Sequence, residues 1–247
     1  MDGSKPKPWL GVRGFLKEYI IVVVGVLTAL AADESVEWLN WRGQVHAAED
    51  AMRAELRGDD GPQAVARASI ETCLSHQLDV IQTAVEAGED RAAIHALAEA
   101  YSPPRRTWDE EAWRVAGSSQ VAAHMPGSVM LTWSQPYLVV PALGALNDKE
   151  QLDVATLRAG RRNPGPASEA EAERWLVAIE NLRHANEGIA YGALTLLEAA
   201  KAAGAGVSKR SEQGVLAEMK GKYDSCVTAP QPLRIDFNSQ LNPAGHG

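Results

Sequence analysis

The chain has 247 residues, 45% apolar and 23% charged, enough for one folded domain plus an appendage. A net charge of −8 argues against the basic surface that phosphate backbones require, so no nucleic-acid partner is expected. Aromatics make up 6% of the chain and the apolar share is largely alanine and leucine, which suits helices better than sheets.

The first element is "KEYIIVVVGVLTALAADESVEWLNWR", from Lys17 to Arg42. No residue from Tyr19 to Ala32 is charged. That run is short of the roughly 20 apolar residues a span needs, but Phe15 and Leu16 extend it while Lys17 and Glu18 snorkel at its edge. Trp38 and Trp41 follow where interfacial anchors belong. Lys5, Lys7, Arg13 and Lys17 precede the run and Asp33, Glu34 and Glu37 follow it. By the positive-inside rule the N-terminus stays in the cytoplasm and the rest of the chain lies across the membrane, in the periplasm.

Three fates compete for this segment: a membrane anchor, a cleaved signal peptide ending at Ala29-Leu30-Ala31, and a buried core helix. Periodicity favours the anchor, because it does not stop at the alanine triplet. Ile20, Val24, Leu27 and Ala31 fall at helical spacing, and Trp38, Trp41, Val45, Ala48 and Met52 continue in steps of three and four. No proline interrupts Trp9 to Gly61, so one long helix is expected, membrane-embedded first and amphipathic afterwards. Gly25 and Ala29, four apart, offer a small-residue face for close helix packing.

"GDDGP" at 58–62 should end that helix, with Asp60 as an N-cap and Pro62 in the first turn of the next. The second helix should reach about Gly88, with Val65, Ile70, Cys73, Leu74, Leu78, Ile81 and Val85 on its apolar side. "GEDRAAIHALAEAYSPP" predicts a shorter helix closed by Pro103 and Pro104. "RRTWDEEAW" reads as a loop with Thr107 or Asp109 capping another short helix, and "HMPGSVM" breaks the chain at Pro126. A helical pattern from Ser128 to Arg161 should kink or split at Pro136 and Pro141. "RRNPGPASEAEAERW" is a linker, with Ser168 opening a long helix to about Ala203. A last helix near 209–224 leads to Cys226, and the proline-bearing tail from Thr228 should be extended or disordered.

The expected fold class is therefore all-α. Its expected parts are a cytoplasmic N-terminus (1–14), a transmembrane anchor (15–33), a periplasmic bundle of six or seven helices (34–227) and a tail (228–247). The two cysteines, Cys73 and Cys226, are expected to form a disulfide in an exported domain.

Chemistry-bearing patterns are thin. Cys73 and His76 sit three apart without a second pair at ligand spacing. Glu180, His184 and Glu187 share one stripe, but a di-iron bundle needs two Glu-x-x-His clusters with two further glutamates. No phosphate loop, nucleophile elbow or zinc-protease motif is present, so no catalytic residue, metal ligand or cofactor is assigned. The segment "FLKEYIIVVVGVLTALAADESVEWLNWR", with "AAEDAMRAEL" after it and the paired cysteines, resembles small proteobacterial single-pass proteins of unknown function. The resemblance implies an anchored protein and carries over no catalytic residue.

The expected role is structural or interactive, as a subunit or accessory factor of an envelope membrane complex. Its partners would be the lipid bilayer and other membrane or periplasmic subunits. A second reading is a module for lipid or another apolar ligand, with a pocket lined by Trp108, Trp113 or Trp133. A third is a hydrolase using His124 with a carboxylate in a cleft.

Overall fold

The computed structural model describes residues 12–104, 107–160 and 162–232. The expectations for residues 1–11, with Lys5 and Lys7, and for the tail beyond 232 lie outside the described residues. The chain divides into two units, Met1–Ala47 and Ala48–Gly247.

The first unit is helical throughout its described part, supplied by most of helix α1 (Val12–Glu55). Most of its apolar side chains are exposed, Phe15, Leu16, Tyr19, Ile20, Ile21, Leu27 and Leu30 among them, while Trp41 is half-buried and Val45 buried. The most apolar 18-residue window has a mean hydropathy of 2.0 and no buried share. Thr28 and Ser35 fold their hydroxyls back onto the carbonyls of Val24 and Ala31.

In the second unit the chain stays helical through "GDDGP", contrary to the expected break. Leu56–Asp60 form one π turn leading directly into α2 (Gly61–Ser69). Pro62 has no N–H for the carbonyl four residues back, and widening the turn before it absorbs that loss: the Gly61 N–H reaches back to the Leu56 carbonyl. Asp60 has helical dihedrals and caps nothing. Gly61 is required by this close approach. A Cβ there would strike the Leu56 carbonyl oxygen and lie 2.5 Å from Val207 Cγ2. Gly61→Ala is accordingly expected to lower stability by about 1–3 kcal/mol, read as a lower urea midpoint with unchanged slope.

The next helix is also not single. Ile70, at φ −110° and ψ 3°, separates α2 from α3 (Glu71–Glu86). Every residue expected on the apolar side is buried. Helix α4 (Arg91–Ala100) is capped by Asp90, whose carboxylate accepts from Ala92 N at 2.8 Å. Its last carbonyls are satisfied by Arg158, which donates to Ala98 O and Tyr101 O. Helices α5 (Glu111–Ser118) and α6 (Val121–His124) follow, then α7 (Gly127–Arg158), α8 (Glu169–Ala202) and α9 (Lys209–Tyr223). The second unit thus holds eight helices beyond α1 among the described residues, with no strand, so the fold is all-α.

Helix α7 keeps Pro136 and Pro141 inside one element and does not split. It packs along α8, and their approach is close enough that a Cβ on Gly192 would lie 2.7 Å from Leu143 Cδ2. Helix α8 also covers α2 and α3, and the core cluster gathers Ile70, Leu74, Leu78, Ile81, Leu157, Trp175, Ile179 and Leu182. Ser168 and Glu171 form a complete capping box, and the two bonds from Ser168 hold the Glu171 carboxyl down at about 2. The linker before it is pinned: Gly165 N donates to the Asp90 carboxylate at 2.7 Å, and Arg91 pairs with Glu171 at 3.1 Å.

Candidate functional site

The disulfide expected between Cys73 and Cys226 is present, with Cα atoms 5.3 Å apart. It ties buried Cys73 on α3 to the 3₁₀ turn after α9. Beside it, Thr228 N donates to the Ser69 carbonyl at 3.0 Å. Tyr223, its hydroxyl pushed up to about 12 chiefly by burial, donates to Ser102 O.

Other expected residues are placed as follows. Trp38 is 58% exposed with the Arg42 guanidinium over its ring, while Trp41 is half-buried and donates to Glu37. Gly25 and Ala29 are both exposed, with open space at Gly25. His124 is exposed at the end of the four-residue α6. His76 and His184 are exposed, and no cluster of three or more His, Cys, Asp or Glu side chains able to hold a metal occurs among the described residues.

Clefts among the described residues of the second unit include ones of about 270, 120 and 310 Å³. The first runs along α8 under Pro230–Pro232, the second between α2 and α9, and the third along α3. Neither His124 nor Trp108, Trp113 or Trp133 lines any of them. Trp133 is buried with Arg53 over its ring, and Trp113 stacks on Tyr137 with centroids 5.6 Å apart.

Among the described residues, two polar clusters inside the unit were not foreseen from the sequence. The first is the ion pair between Arg67 on α2 and Glu150 on α7, 2% and 0% exposed, bonded twice at 2.6 and 3.1 Å. The buried Tyr101 hydroxyl has no hydrogen-bond partner, and its pKa is raised mainly by burial and further by the Glu150 carboxylate.

The second cluster joins the end of α1, the π turn and α7 to the segment that opens α5. Asp60, fully buried, accepts from Asp109 N through Oδ1 at 3.1 Å, while its Oδ2 has no hydrogen-bond partner. Glu55 accepts from Ala112 N at 2.9 Å and from the Tyr137 hydroxyl at 2.8 Å. Neither Thr107 nor Asp109 caps α5. Its N-cap position is Glu110, without a side-chain bond, and Glu55 reaches across from α1 to supply an acceptor. Burial is the main force raising the Asp60 carboxyl to about 7, with Glu55, Asp109 and Asp59 adding repulsion against the lowering bond from Asp109 N. Tyr137 is likewise raised, first by burial and then by its bond to Glu55.

No protein-family model, curated protein or solved structure matches this chain.

Proposed function

We propose that this is a single-pass protein of the inner membrane, N-terminus in the cytoplasm, whose helical domain works in the periplasm as a structural or interaction subunit of an envelope complex. The observation that carries the reading is the exposed apolar surface of α1. Its side chains from Phe15 to Leu30 have no cover of their own, and water is the least favourable solvent for them. The charge asymmetry around the run supports the orientation, and a disulfide fits an oxidising compartment. Trp38 and Trp41 would sit at the outer interface, and Gly25 and Ala29 would let a partner helix approach closely.

The full-length chain is expected to stay in the membrane pellet after an alkaline carbonate wash, and a variant lacking residues 1–33 to move to the supernatant. Protease added outside spheroplasts should digest the bundle. A full-length chain that is freely soluble with its leading segment intact overturns the anchor, and a bundle cut only from the cytoplasmic side overturns the orientation. Gentle solubilisation followed by size-exclusion chromatography tests the complex: a lone monomer counts against it.

A further inference from the structure

The cluster around Asp60 points to a device that the anchoring role does not need. Residues 107–125, carrying α5 and α6, bury only Ala116 and Met125. Helices α5 and α6 pack chiefly on each other. Among the described residues, ties of the segment to the bundle include Asp109 N on Asp60, Ala112 N on Glu55, and the Trp113 ring stacked on Tyr137. A segment with so little buried apolar surface opens at low free-energy cost compared with the core.

We infer that residues 107–125 form a flap whose docking is set by the protonation state of Asp60, closed with the carboxyl neutral and loosened as it ionises. The ionisable groups acting on Asp60 are Glu55 from α1, Asp59 from the π turn, Asp109 from the flap and Tyr137 from α7. All are acids, so a proton is the natural compensator for its charge. A neutral Asp60 still accepts from Asp109 N and holds its own proton on Oδ2, the oxygen without a partner. On ionisation that proton leaves to solvent and a carboxylate is left buried beside three others, a state relieved by opening. The carboxyl is raised to about 7 when closed, from about 3.8 when free. The sign follows: closure is strongest below pH about 4, weakens as pH rises to about 7, and is constant above. Single π turns inside helices are frequent at functional sites.

The test is amide exchange of residues 107–125 in the full chain, held in lipid nanodiscs, from pH 4.5 to 8. Rates are corrected for intrinsic exchange, with peptides of α8 as internal reference. The opening constant of the flap should rise by up to about tenfold per pH unit between 5 and 7 and level off above, while α8 stays unchanged. Asp60→Asn, a neutral isostere that keeps the acceptor for Asp109 N, should abolish the pH dependence and leave the flap closed. Asp60→Ser serves if that variant does not fold. A flat wild-type profile overturns the proposal without any variant, as does an undiminished pH dependence in Asp60→Asn.

Discussion

Replacing Arg67 with alanine is expected to destabilise the bundle by about 3–5 kcal/mol, because it leaves the Glu150 carboxylate buried and uncompensated. Glu150→Ala should do comparable damage by stranding the guanidinium. That is a large share of the 5–15 kcal/mol that typically holds a domain together. The same pair at a surface would be worth under about 1 kcal/mol, so the size of the loss reports directly on burial. The double change Arg67→Met with Glu150→Leu should recover most of it, since two apolar side chains of similar volume need no desolvation of charge. Urea unfolding of the three variants at equal slope measures the difference. A single substitution costing less than 1 kcal/mol would mean that water reaches the pair.

The pair also marks where sequence reasoning stops. Arg67 and Glu150 are 83 residues apart, and each alone reads as a solvated residue on a helix. Features coded locally were legible: the start of α8 at Ser168, the proline stop after α4, and the apolar stripe from Val65 to Val85. Features set by distant partners were not. Nothing in "ASIET" announces the break at Ile70. There the Ser69 carbonyl is bonded by Thr228 N, so the turn serves the returning C-terminal segment. Pro136 and Pro141 each cost a helix about 3 kcal/mol, yet α7 stays continuous along its packing on α8.

Asp60 shows the same limit from the other side. Asp-Gly-Pro is a sound local signal for a cap and a new helix, and the proline does stand at the start of α2. The π turn changes only the register, but that turns the carboxyl inward, where Asp109 N meets it. The Trp38–Met52 stripe was legible as a pattern, but not what covers each of its members. Met52 is buried, whereas Trp38 is exposed.

Loss of the Cys73–Cys226 bond is the second large effect. The closed loop joins residues 153 positions apart, so in the chain-entropy model the bond stabilises the domain by about 4–5 kcal/mol, above the 2–4 kcal/mol typical of disulfides. Reduction, or the double change Cys73→Ala and Cys226→Ala, should lower the urea midpoint accordingly. Helix content should survive, because the C-terminal end keeps other ties: Met219, Tyr223 and Val227 are buried, and Lys222 and Tyr223 both donate to Ser102 O. Single variants should behave worse than the double one. Cys73→Ala leaves a half-buried Cys226 thiol able to form intermolecular bonds, which appear as a reducible dimer on electrophoresis. Protein isolated from cells and denatured without reductant should show no titratable thiol, and two after reduction. Two thiols before reduction would remove both the crosslink and the argument it lends to an oxidising compartment. If the bond forms only after export, the bundle is at its weakest on the cytoplasmic side, and folding is completed where the domain is proposed to work.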